Sequence, residues 1–289
     1  MTISTRELVP SPIIPARRLP GDPGRPLTAS RTGPRIGRIV VVGLLLAWFA
    51  LPLLPLAMWT FANQWSYPAP APTEWGTDGI TSAIAAGGIA AFTRSALLGV
   101  AVAAIATPIG AVAARSLVAG WAPFPKLTTL LLFAPVAIPS FASILGTNVI
   151  LLRAHIPPIV GLVLVLVVVA LPYTTFTLRA AYAAHDVGYE EGARTLGASA
   201  AYVLWRVQLP LMAPALTRAA FLAFLVGWSD YIVTLIVGGG QLITLPMITA
   251  SLAAGVGNDS VVAVLSLAAV IPPIALVIVL GRTGSRTRL

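Results

Sequence analysis

The chain has no cysteine, one lysine (Lys126) and two widely separated histidines, His155 and His185. Without thiols there are no disulfides, thiolate nucleophiles or Cys-ligated metals, and the histidines form no His-x-x-x-His pair for a metal. Lys126 lies between Pro125 and Leu127, so the Gly-rich loop ending in Gly-Lys-Ser/Thr that cradles nucleotide phosphates is missing. Charge is scarce too: 9% of residues are Asp, Glu, Lys or Arg, against about 25% in a soluble domain. An intramembrane enzyme would need a nucleophile, a base or metal ligands clustered within its spans, and the sequence offers no such cluster and no paired intramembrane carboxylates. No cofactor is expected on this chain.

What remains is apolar. Hydrophobic residues make up 57% of the 289 residues and the mean hydropathy is +0.91, the profile of an all-α polytopic membrane protein. A helix crossing a hydrocarbon core of about 30 Å needs roughly 20 apolar residues. Six segments qualify: 39–61, 89–113, 127–152, 157–179, 214–237 and 260–281. Pro52 and Pro55 interrupt the first and free backbone groups that neighbouring helices must cover. Residues 1–34, rich in Pro, Arg, Ser and Gly, are expected to be a disordered cytoplasmic tail. Residues 35–88 then hold the first span and an external loop, 89–282 a five-span core, and 283–289 a short second tail. The Trp-, Tyr- and Pro-rich stretch 62–88 suits an interfacial loop, whereas 238–259 opens on Gly238-Gly239-Gly240 and has no Lys or Arg. Small residues in 95–113 (Ser95, Gly99, Ala103, Ala104, Gly110, Ala111) suit close helix packing.

The net charge of +9 is a topology signal rather than a nucleic-acid one. Seven of the 18 basic residues fall in the first 38 positions, and most others sit at the ends of apolar runs. Arg31, Arg35, Arg38, Arg115, Lys126, Arg179, Arg194, Arg206, Arg218, Arg282, Arg286 and Arg288 share one side of the predicted spans, with only Arg94 and Arg153 opposite. The positive-inside rule then makes both termini and the long loop 180–213 cytoplasmic. Arg94 is expected to snorkel to the interface, or to pair with Glu74 or Asp78.

Within that loop, residues 186–196 read as a short helix with Glu190, Glu191 and Arg194 at i,i+3 and i,i+4 spacing. Asp186 and the glutamates favour its positive end, Gly192 and Ala193 permit close approach, and Gly197 suits a left-handed cap. Pro210 is expected to reset the chain before the fifth span. The stretch from Glu191 to Pro210 resembles the Glu-Ala-Ala-x3-Gly-x9-Ile-x-Leu-Pro signature of permease subunits of binding-protein-dependent ABC importers. Glu191, Ala193, Gly197, Leu209 and Pro210 match it; Gly192 replaces the first Ala and Val207 the Ile. The resemblance implies a type I importer permease fold of six transmembrane helices in a bacterial inner membrane. It also implies a coupling role for Glu190, Glu191, Gly192, Ala193, Arg194, Gly197, Val207, Leu209 and Pro210. The implied partners are an ATP-binding subunit dimer that uses the ATP, an extracytoplasmic solute-binding protein, and a second permease subunit. No nucleic acid is implied.

Thr195-Leu196-Gly197 looks more like the polyamine, ferric-ion, thiamine and sulfate branches of that family than the sugar branch. Gly227-Trp228-Ser229-Asp230-Tyr231 is similar to polyamine-type permeases, where the second permease is usually a distinct chain, so a heterodimer is expected. A carboxylate at mid-bilayer costs roughly 2.5–3.5 kcal/mol, so Asp230 should face water or the bundle interior. Either it lines a translocation path with Trp228, Ser229 and Tyr231, favouring cationic or hydroxylated solutes, or it stabilises helix packing. His155 reads as an external loop residue; His185, beside the candidate helix, reads as a solvated loop residue or a partner contact. The alternatives are a sugar-type importer permease and an ion-gradient-driven secondary transporter, but one intramembrane acid is thin support for the latter.

Overall fold

A peptide group left unpaired in hydrocarbon costs several kcal/mol, so apolar runs in a bilayer satisfy their backbones internally as helices. The computed structural model describes residues 35–66, 68–137 and 140–285. In chain order it contains α1 (Arg35–Ala50), α2 (Leu53–Thr60), β1 (Ala62–Gln64), β2 (Glu74–Trp75), α3 (Asp78–Ala85), α4 (Gly88–Val118), α5 (Pro125–Ala137), α6 (Ser140–Arg153) and α7 (Pro158–Ala183). There follow α8 (Gly188–Thr195), α9 (Ala200–Tyr202), a π-helical segment Val203–Gln208, α10 (Leu209–Ser229), α11 (Ile232–Val237), α12 (Leu245–Ala253) and α13 (Asp259–Ser285). The chain divides into compact units 1–49 and 50–289; the expected tail 1–34 and residues 286–289 of the expected tail 283–289 lie outside the described residues, while 283–285 continue α13.

The second unit absorbs what the sequence set apart as an external loop. β1 and β2 pair antiparallel, and α2 and α3 pack on α13. Asn63 Nδ2 donates to Asp78 Oδ2 at 2.8 Å and Asn63 Oδ1 accepts from the Asp78 amide at 3.2 Å. Neither Asp78 nor Glu74 forms an ion pair with Arg94.

Among the described residues, four helical runs are long and apolar enough to cross a membrane: Gly88–Val118, Pro158–Ala183, Ala200–Ser229 and Asp259–Gly281. Six are reached only by counting each of two bent pairs as one span. The expected span 39–61 is divided between α1 and α2 by a turn at Leu51–Pro52. The expected span 127–152 is two helices, Pro125–Ala137 and Phe141–Arg153, meeting at 104°. The fifth, 214–237, stops at Ser229 and restarts at Ile232 around an extended Asp230.

α4, α7 and α10 pack together at the centre, where Leu98, Val102, Ala106, Leu162, Leu166, Ala170 and Ala223 are buried. Between helices in lipid the hydrophobic effect adds little, so close van der Waals packing must hold them. At the α4–α10 crossing, a Cβ on Gly227 would lie 2.8 Å from Gly99 Cα and 3.1 Å from the Leu98 carbonyl oxygen. At the α4–α7 crossing, a Cβ on Gly110 would run into Thr174. The packing reading of Ser95, Gly99 and Gly110 holds, while Ala104 is exposed.

Gly227→Leu should therefore destabilise the protein by about 1–3 kcal/mol through overpacking. This would appear as a lower unfolding temperature in detergent. Gly192→Ala, where an added Cβ meets nothing within 4 Å, should leave that temperature unchanged.

Candidate functional site

α8 starts where Asp186 Oδ1 accepts the Gly188 amide at 2.9 Å, and Glu190 and Glu191 occupy its first turn. Arg194 stands in its last turn, so the charges complement the helix dipole at both ends. The helix ends as the sequence indicates. Gly197 has φ 85°, its amide donates to the Arg194 carbonyl at 2.9 Å, and the Ala198 amide donates to the Ala193 carbonyl at 3.0 Å. Those two bonds form a Schellman cap. Ser199 Oγ then accepts the Tyr202 amide at 3.3 Å to open α9.

Pro210 does not reset the chain. Residues Ala200–Ser229 form one helical run, in which the Leu209 amide reaches back to the Leu204 carbonyl, five residues earlier. A proline ring clashes with the carbonyl four residues before it in a regular helix. The wider π turn shifts that bonding pattern, so helix and proline coexist.

Adjacent glutamates point to opposite environments. Glu190 is 5% exposed, and its Oε2 accepts from Arg115 Nη2 at 2.8 Å. Its Oε1 lies 3.4 Å from His185 Nε2. Arg115 Nη1 also donates to Gln208 Oε1, and Gln208 Nε2 donates to Tyr182 OH at 3.1 Å. Glu190 is thus an internal anchor rather than a surface contact, and the expected spacing with Arg194 yields no pair. His185 likewise is largely buried rather than solvated. Glu191, Gly192, Arg194, Gly197 and Pro210 are exposed; Ala193, Val207 and Leu209 are half-buried. The exposed face also carries Tyr189 and Leu196, the latter 89% exposed. A motif match ranks neither of them.

The second candidate lies at the helix break. An open cavity of about 820 Å³ is lined by residues of α5, α6, α7, α10 and α11, with Ser229, Asp230 and Tyr231 in its wall. Its wall is otherwise mostly aliphatic, with Ser143 and Thr147 the other hydroxyls. Asp230 Oδ2 accepts from the Thr234 amide at 2.8 Å and from Thr234 Oγ1 at 2.9 Å, satisfying the start of α11. The bonds to Thr234 give Asp230 a packing role, and the same residue lines the cavity. Trp228 departs from expectation: it is 3% exposed and its Nε1 donates to the Ala269 carbonyl on α13 at 3.0 Å. Its indole packs between Phe92 and Phe224, so it is a helix tie outside this cavity. Among the described residues no three His, Asp or Glu side chains gather as a metal site.

Residues 27–283 match the family described as the binding-protein-dependent transport system inner membrane component. The chain belongs to that family. It is an all-α, multi-pass inner-membrane permease subunit of a binding-protein-dependent ABC importer. The molybdenum transport system permease proteins ModB of Mycobacterium bovis and Mycobacterium tuberculosis are each 38% identical to it over 82 residues. That stretch is 27% of this permease and 31% of each relative, so the chain spans under a third of their length. A bacterial ABC transporter involved in the import of the acidic polysaccharide alginate shares the fold. There the TM-score is 0.67 at 13% identity, covering 86% of this chain and 95% of that one.

The two glutamates give a direct comparison. Glu190→Ala strands Arg115 and should cost about 3 kcal/mol, the low end for breaking a buried pair, because the Arg115 side chain keeps 30% exposure. Glu191→Ala should change stability by no more than about 0.5 kcal/mol. Thermal unfolding of the two purified variants in detergent measures the difference.

Proposed function

We propose that this permease forms one transmembrane half of an ATP-driven importer for a small oxyanion, with α8 docking into a separate ATPase. The match to a transport family along residues 27–283 carries the importer reading. The docking reading is supported by α8, where Glu191, Arg194 and Leu196 are all exposed and small Gly192 leaves room for a partner surface. A dimeric ATPase binds and hydrolyses the ATP, and a solute-binding protein delivers cargo to the end of the bundle that carries β1, β2 and α3. Loop 180–213 and both termini lie on the cytoplasmic side, as the arginine distribution requires.

The cargo assignment departs from the polyamine expectation. That expectation leaned on Asp230 as a cation-seeking group beside Trp228, yet one Asp230 oxygen is committed to Thr234 and Trp228 is packed against α13. The local likeness to molybdenum permeases favours a molybdate-like oxyanion instead. The cavity wall carries no Lys, Arg or His to hold such an ion, which leaves selection to the binding protein. The argument for a distinct second permease rested on the polyamine branch; with an oxyanion as cargo, a second copy of this chain fills the other position equally well.

Proteoliposomes holding the assembled complex should take up molybdate in an ATP-dependent manner that excess spermidine does not inhibit. Inhibition by spermidine would return the cargo to the polyamines. Uptake that survives ATP removal but collapses with the proton gradient would make this a secondary transporter. Glu191→Ala and Gly197→Asp should each reduce recovery of the ATPase in pull-downs by at least about tenfold, which corresponds to about 1.4 kcal/mol. Undiminished recovery in both would remove the docking role.

A further inference from the structure

We infer that Arg115 is a positioning residue that makes α8 and the central helices move as one body, an inference that rests on α8 being the docking helix. The need for such a residue follows from how α8 is attached. Glu190 is the only buried residue of α8. On one side α8 joins α7 through the short turn at Asp186–Gly188; on the other it ends at Gly197, whose positive φ is the conformation glycine tolerates best. A push delivered to the exposed face would be absorbed by those flexible ends unless Glu190 is held.

Arg115 holds it from the last turn of α4. One guanidinium nitrogen bonds Glu190 at 2.8 Å and the other bonds Gln208 at the end of the π segment. Gln208 passes the connection to Tyr182 near the end of α7 at 3.1 Å. The guanidinium also lies 5.7 Å from the ring centre of Trp121, just beyond α4. One planar fork thus joins α4, α8 and the helical run that continues into α10, with α7 one hydrogen bond further on. Only arginine presents two donors in a fixed plane; an ammonium keeps the charge without the fork. The π segment is part of the device, because its altered bonding accompanies the inward position of Gln208, which is 2% exposed.

The chain has no native cysteine, so spin labels can be placed on Thr195→Cys, exposed in the last turn of α8, and Val112→Cys on the exposed side of α4. Pulsed electron resonance on the full complex then reads their separation with and without ATP. With Arg115 present the separation should stay fixed through the nucleotide cycle. In Arg115→Lys it should shift on ATP binding and broaden, while ATPase recovery in pull-downs stays at the level of the unaltered chain. An unchanged separation in Arg115→Lys would overturn the inference. So would a loss of ATPase recovery in that variant, which would show that Arg115 serves docking itself. If Glu191→Ala and Gly197→Asp both leave ATPase recovery intact, the docking reading fails first and independently of Arg115. Arg115→Ala serves as a second variant, and the same shift is expected wherever it assembles.

Discussion

In a bilayer every peptide group that leaves a helix must find a partner inside the protein, and the interior of this permease is arranged around that demand. The two most consequential breaks are each met by a named side chain. Asp230 accepts the Thr234 amide where the fifth span stops and restarts. Ser95 Oγ on α4 accepts the Leu245 amide at 2.8 Å where α12 begins. Both lie against the central helices, and both use a polar group that would be unfavourable in lipid without its partner. The break at Asp230 lies at the wall of a cavity beside the packed core, and its carboxylate satisfies the Thr234 amide there.

Close packing and cavity are two results of one glycine distribution. Gly99 and Gly227 bring α4 and α10 together, and two residues after Gly227 the chain reaches the wall of the cavity at Ser229. Trp228 between them turns the other way and ties α10 to α13. A single turn of α10 thus carries a helix crossing, a tie and a cavity wall. At the other end of the bundle the same helical run carries the Gln208 end of the Arg115 network. A buried ion pair gives little net stability; its value here lies in the orientation it imposes on α8.

Much of this was legible in the sequence, because length and polarity alone report it. The apolar runs that became α4, α7 and α13, the α8 helix and its Gly197 cap follow from composition and cap chemistry acting locally. What was not legible depends on direction or on distant partners. Glu190 and Glu191 are chemically identical neighbours, yet about 100° of helix rotation sends one inward and one outward, and only the position of Arg115 decides which. Hydropathy runs on from α10 into α11 because Asp230 is the single charged residue in 219–237. The helix break there needs the side chain's own bond to Thr234. The π segment was equally hidden: Pro210 signals a stop in a regular helix, and only a changed hydrogen-bond register lets the helix pass through it.

If α8 is the docking helix, the ATPase acts on this permease at the end of the bundle opposite β2. The absence of native cysteine makes the decisive measurement direct: place one cysteine at Leu196 on α8 or at Trp75 on β2, and cross-link each in membranes containing the full importer. The account predicts a nucleotide-sensitive cross-link to the ATPase from Leu196→Cys and none from Trp75→Cys. A cross-link to the ATPase from Trp75→Cys, with none from Leu196→Cys, would contradict it.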